Sequence, residues 1–329
     1  MPYSQPKQPR LYINTLEWLM QSGWDLNIGD SNYQDYINLY RTMPTKDYAF
    51  GGPYTWSGTG VENIPNVFTS NGFIAVLAHN FNATDNRGHF IQLYSKNAGN
   101  QQLTWQTDVV NFDGEYDGYS IALTNDFQDF IHQGSIALHC PNQCSIKSII
   151  FGDYYDLRSP DMNLTMVKEY ATKTITTPGG SNLSNQNWSR PAPWGNYGSW
   201  ELHQGDSSLM KLSKTGRRIW SLSYTQLGGS DTFGLNQSLS TGFLKNEIAG
   251  LEFDANDVTD NEFNYNLHTD INFFSQVINK TLGGSIPFIF QPDNEYPDFA
   301  LAVLDQRSFQ FSQTSHNTYT FKIKIKEVW

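Results

Sequence analysis

The alternation of apolar and polar positions is clearest near the end of the chain. Across 318–326 (TYTFKIKIK), Tyr319, Phe321, Ile323 and Ile325 alternate with Thr320, Lys322, Lys324 and Lys326. A period of two predicts a half-buried strand, with lysines on the wet face to discourage stray edge pairing. The same alternation runs through Trp220, Leu222 and Tyr224, and through Phe309 and Phe311. Short apolar runs at 73–78, 90–94, 119–123, 135–139 and 146–151 are separated by turn-forming clusters such as DNRGH, DGEYDGY and HQGS. Many short strands at this spacing predict a β-sandwich or barrel.

One stretch has a helical period. In 266–281, Leu267, Ile271, Phe274 and Ile278 recur at steps of four, three and four, which predicts a single apolar stripe, with Gly283 and Gly284 as its stop. Strands at 286–290 and 299–304 follow. The segment 177–206 differs: it is dense in Gly, Pro, Ser and Asn and carries Trp188, Trp194 and Trp200. A structureless loop of that length is uncommon unless it is functional or wraps something. The main boundary is expected near 160–168, and the first 45 residues supply an arm and early elements, including 11–19.

Composition narrows the function classes. With 329 residues, about two domains are expected. The net charge is −11, which argues against a nucleic-acid binder that works through a general basic surface. Only 16% of residues are charged, below the ~25% of an ordinary domain, while 15% are aromatic. Uncharged polar residues fill the gap, and such a surface suits contacts with neighbouring subunits or with sugars. Residues 1–10 lack an apolar signal core, and no stretch approaches the ~18 apolar residues of a membrane span, so synthesis in a cytosol and no membrane partner are expected.

Candidate chemistry is sparse. The chain has no GxSxG, HExxH, P-loop or GxGxxG pattern. Cys140 and Cys144 form a lone CPNQC, beside His139, and a zinc site would need two further soft ligands. The histidines (His79, His89, His132, His139, His203, His268 and His316) are scattered without ligand spacing. Residues 113–118 (DGEYDG) resemble the front of a calcium loop, but Thr124 stands where the bidentate Glu belongs, so a hairpin turn is the stronger reading. No metal, no cofactor and no catalytic residue are expected. The aromatics either stack on sugars or fill cores and subunit contacts, where Tyr and Trp are enriched. Six Asn-x-Ser/Thr sequons, among them Asn82-Ala-Thr and Asn279-Lys-Thr, are no more than so Asn- and Thr-rich a chain produces by chance.

Several segments together resemble a known group. The stretch 149–165 (IIFGDYYDLRSPDMNLT) is similar to a segment of virion structural proteins of tailed bacteriophages, where it precedes a loop with a Gly pair, here Gly179-Gly180. Pro193-Trp-Gly195 paired with Gly216-Arg-Arg-Ile-Trp220 resembles the same group, as does the end of the chain, LGGSIPFIFQPDN and QFSQTSHNTYTFKIKIKEVW. That end also resembles the tail-tube and distal-tail fold, a β-sandwich flanked by one helix. The resemblance implies a mainly β protein: an arm and first elements at 1–45, a jelly-roll-like sandwich at 46–160, and a tail-tube-like unit at 161–329.

It further implies a structural subunit of a tail tip or baseplate, made in the host cytoplasm and incorporated into the virion. The implied partners are copies of itself in a ring, a hexamer being the candidate arrangement, and other tail proteins. The tryptophans Trp188, Trp194 and Trp200 are the expected inter-subunit contacts. The alternatives are a glycan-binding adhesion module that recognises a host surface and, behind it, a polysaccharide-degrading enzyme.

Overall fold

The computed structural model describes residues 8–24, 27–28, 38–42, 48–50, 54–58, 61–62, 67–77, 90–96, 102–108, 119–124, 135–140, 144–146, 148–162, 164–169, 172–186, 217–232, 271–296, 299–316 and 318–328. The first elements are β1 (Arg10–Tyr12), α1 (Thr15–Gln21), β2 (Asn27–Ile28), a 3-10 turn (Asn38–Tyr40), β3 (Tyr48–Phe50), β4 (Tyr54–Gly58) and β5 (Val61–Glu62). Then come β6 (Gly72–Leu77), β7 (Phe90–Lys96), β8 (Gln102–Asp108), β9 (Tyr119–Thr124), β10 (Ser135–Cys140), β11 (Cys144–Ile146) and β12 (Ser148–Asp156). After them lie β13 (Thr165–Glu169), β14 (Thr172–Thr176), β15 (Asn182–Gln186), β16 (Arg217–Gly228) and a helical turn, α2 (Gly229–Thr232). A π-helix (Phe274–Asn279), β17 (Phe288–Gln291), β18 (Ala300–Leu304), β19 (Phe311–Ser315) and β20 (Thr318–Glu327) complete the order.

The protein is mainly β, as expected. A 10-stranded sheet runs β13-β16-β20-β18-β17-β1-β12-β6-β9, with β19 also on β20. A second sheet, β4-β10-β7-β8, and three ribbons, β11-β3, β14-β15 and β2-β5, are separate from it. The large sheet passes through the boundary expected near 160: β6, β9 and β12 belong to it together with β1 and the later strands. Strand β12 is the joint. Its first six residues pair with β6, from Ser148↔Leu77 to Asp153↔Gly72, and its last three pair with β1.

The alternation seen in the sequence sorts side chains as expected in β16 and β20. Trp220, Leu222 and Tyr224 stand opposite Ile325, Ile323 and Phe321, and all six are buried. They form one core with Leu11, Phe288, Phe290, Phe273 and Val277. Trp220 meets Phe290 edge-on at 5.1 Å, and Phe273 lies 4.8 Å from Phe321. The lysines of β20 do not guard an edge, however, because the strand has neighbours on both sides. On the opposite face, Tyr12, Phe73, Ile150, Ile289 and Leu301 form a second core, so β1 buries both of its faces. Helix α1 starts at a reciprocal cap: the Asn14 side chain accepts from the Glu17 amide at 3.1 Å and donates to the Glu17 carboxylate at 3.1 Å.

The helix expected over 266–281 is corrected in register. Leu267 lies outside the described residues, and Ile271 is 64% exposed rather than part of a buried stripe. The segment Phe274–Asn279 is a π-helix, whose i→i+5 bonds widen each turn. The buried set therefore becomes Phe273, Val277 and Ile278, with Phe274 partly covered. It is capped at Lys280, and the chain turns left-handed first at Leu282 (φ 50°), before Gly283 and Gly284 at 70° and 93°.

Candidate interaction surface

The segment expected as a structureless loop from 177 begins as a hairpin. Strands β14 and β15 pair in register from Thr172↔Gln186 to Thr176↔Asn182. The turn between them is closed by Thr177, whose amide donates to the Ser181 carbonyl at 2.8 Å, and Gly180 supplies the φ of +82° the turn needs. Ile175 and Leu183 stand directly opposite each other, 67% and 62% exposed. Trp188, Trp194 and Trp200, the expected contacts, lie outside the described residues. Sequence reasoning missed this hairpin, whose local mark is alternating Thr-Lys-Thr-Ile-Thr before Pro-Gly-Gly.

Strand β13 precedes the hairpin in the chain. It ends the large sheet, and all five of its residues are exposed. Met166 and Val167, each about half exposed, point to opposite faces. Among the described residues, five of the ten exposed large hydrophobics (Met162, Met166, Val167, Ile175 and Leu183) fall within 162–183. Scattered single exposures are ordinary, whereas half of these fall in one short stretch of the chain.

Buried charges serve the architecture instead. The Lys280 ammonium is fully buried and donates to Asp153 Oδ2 at 2.7 Å, Gln276 Oε1 at 2.7 Å and the Val67 carbonyl at 2.8 Å. Its three donors are thereby spent. Burial lowers the Lys280 pKa, and the Asp153 charge opposes that shift. Asp153 Oδ1 accepts from the Thr69 amide and hydroxyl at 2.8 and 3.0 Å. One residue earlier, Gly152 packs against the Ile13–Thr15 backbone, where a Cβ would lie 2.6 Å from the Thr15 nitrogen.

Other buried charges are as fully engaged. Glu327 holds Arg218 through its side chain at 3.1 Å and through its amide at 2.9 Å. Glu17 accepts from the Thr42 amide at 3.0 Å and from the Thr42 hydroxyl. Sequence reasoning identified none of these groups, because a lone Lys or Glu has the same signature whether it ends in water or in a core.

A small cavity of about 60 Å³ lies beside the first core, walled by Phe273, Phe311, Phe321 and Leu227, with Arg158 and Asp231 at its mouth. The Tyr224 hydroxyl there is buried without a hydrogen-bond partner, and burial raises its pKa. Among the described residues no three His, Cys, Asp or Glu side chains cluster as metal ligands, and no helix is long and apolar enough to cross a membrane. The 113–118 turn and His79, His89, His132, His203 and His268 lie outside the described residues, while His316 sits in an exposed turn. Cys140 ends β10 and Cys144 begins β11. No model of a known protein family matches this sequence, and no curated protein matches it either.

Proposed function

We propose that this chain is a structural subunit of a bacteriophage tail tip or baseplate, assembling with copies of itself as a ring and contacting neighbouring tail proteins. The observation that carries the reading is the exposed Ile175–Leu183 pair, set directly opposite each other on the β14–β15 hairpin. A two-stranded ribbon is marginal in water by itself, and its apolar pair gains nothing until another surface covers it. The resemblance of 149–165 and of the chain's end to tail proteins supports the same assignment. The test is light scattering and electron microscopy of the purified full chain. A closed ring is the expected result, and double substitution Ile175→Thr with Leu183→Thr should release folded monomers. A wild-type chain that stays monomeric at every concentration would overturn the proposal.

A further inference from the structure

We propose that the solvent face of β16 and β20 carries a binding site for a small polyhydroxylated anion, a sugar acid or a sugar phosphate. The register of the two strands sets Ser221 opposite Lys324 and Ser223 opposite Lys322. These four side chains alternate with the buried Trp220, Leu222, Ile323 and Ile325, so all four point outward. They project two lysines and two serines from one face, with Cβ atoms about 7 Å apart along each strand and about 5 Å apart across the pair. A groove of about 560 Å³ lies over this face, within the roughly 300–1,000 Å³ of small-molecule sites.

The walls of the groove are fixed. Gln306 is tied to the edge of β20, its carbonyl oxygen accepting from the Lys324 amide at 2.9 Å and its nitrogen donating to the Lys322 carbonyl at 3.4 Å. At the other end, the Thr225 hydroxyl donates to Asp161 at 3.0 Å, which holds that carboxylate as an acceptor for ligand hydroxyls. The groove is therefore polarised, with donors and positive charge at one end and an acceptor at the other.

Charge selects the ligand. Lys326 pairs with Glu169 at 3.0 Å and Lys324 with Asp305 at 2.7 Å, whereas Lys322 has no ion-pair partner among the described residues. The Lys324–Asp305 pair is partly exposed, and such pairs are worth little, so it yields readily to a competing anion. Among the described residues no aromatic ring lines the groove, so they offer no stacking platform of the kind a neutral sugar would use. Recognition must come from charge-assisted hydrogen bonds at the lysines and from hydroxyl contacts with Asp161, Ser221 and Ser223.

The test is calorimetric titration of the full chain with glucuronate, glucose 6-phosphate, glucose and inorganic phosphate. At least one sugar anion should bind measurably and glucose should not, and the preferred member of the pair distinguishes a carboxylate from a phosphate site. Lys322→Gln should weaken that binding about tenfold or more, the equivalent of one charge-assisted hydrogen bond. Asp161→Asn should weaken the sugar anion without affecting inorganic phosphate. Lys326→Gln, in the same row but outside the groove, should leave binding unchanged. The proposal fails if glucose binds as tightly as the sugar anions, or if inorganic phosphate matches glucose 6-phosphate. It fails equally if Lys322→Gln changes nothing, or if no probe binds at millimolar concentration. Because binding is read on each chain, a missing ring would leave this result untouched.

Discussion

The β16–β20 pair and the β14–β15 hairpin are built by the same local rule and have opposite fates. In both, apolar residues face each other across an antiparallel register: Leu222 with Ile323 in the first, Ile175 with Leu183 in the second. The first pair is 3% and 2% exposed, the second 67% and 62%. What differs is the presence of a second layer. The π-helix and the flanking strands cover β16 and β20, where each fully buried Leu or Ile contributes roughly 1.5–3 kcal/mol. In a single chain the hairpin realises none of that. Strand pairing thus sets which residues meet, and layering decides whether the meeting stabilises anything.

The sharpest ways to break this comparison act on the layered region. Gly152→Ala should be the most damaging, because the added methyl would overlap the Ile13–Thr15 backbone where β12 meets the chain leaving β1. A loss of about 4 kcal/mol or more, read as insoluble or unfolded protein, is expected. Next, Lys280→Met should cost about 3–5 kcal/mol in chemical denaturation, since it strands the Asp153 charge in the core. Adding Asp153→Asn should recover much of that loss, and a double variant no better than the single would show that shape, not charge, was at fault.

A matched pair of substitutions addresses the comparison directly. Ile323→Ala should lower stability by about 2–5 kcal/mol. Ile175→Ala should stay within about 0.5 kcal/mol in the monomer. Equal losses would mean that the hairpin is covered in solution by its own chain.

The smallest effect is pH-dependent. Burial holds the Tyr12 pKa up to about 12, with Arg10 opposing the shift. Below about pH 10 both folded and unfolded chains keep that proton. Between about pH 10 and 12 the unfolded chain alone loses it, so stability falls as pH rises, by roughly 2–3 kcal/mol from this group. Buried Tyr40, Tyr155 and Tyr224 shift the same way, while the lowered Lys280 pKa acts in the opposite direction. Tyr12→Phe should flatten this part of the alkaline melting curve, and an unchanged slope would remove Tyr12 as a cause.

The strands that could be read from sequence are those in which periodicity and burial coincide. Tyr319, Phe321, Ile323 and Ile325 are all buried where the period of two places them. Strand β8 has the same alternation in Leu103 and Trp105, but it is interleaved with Gln and Thr that weaken the signal. Pairing partners were not legible, because nothing local in Arg-Leu-Tyr indicates a place between β12 and β17. The helix was legible in place but not in register, since a 3.6-residue template cannot anticipate a π-turn. Of the interaction surface, only the odd composition and the tryptophans could be seen in advance. The exposed Ile175–Leu183 pair emerged once the hairpin register was known.

Strand β1 also has a consequence for the order of events in folding. Tyr12 donates its hydroxyl to Gln291, 279 positions away, and its backbone fills the gap between β12 and β17. A ribosome therefore releases one of the sheet's central strands long before either of its neighbours, β12 or β17, exists. The large sheet can close only after β17, β18 and β20 have been made, and loops of such length make that closure slow. Until then Leu11 and Tyr12 are exposed apolar residues on an unpaired segment, the kind of species chaperones capture.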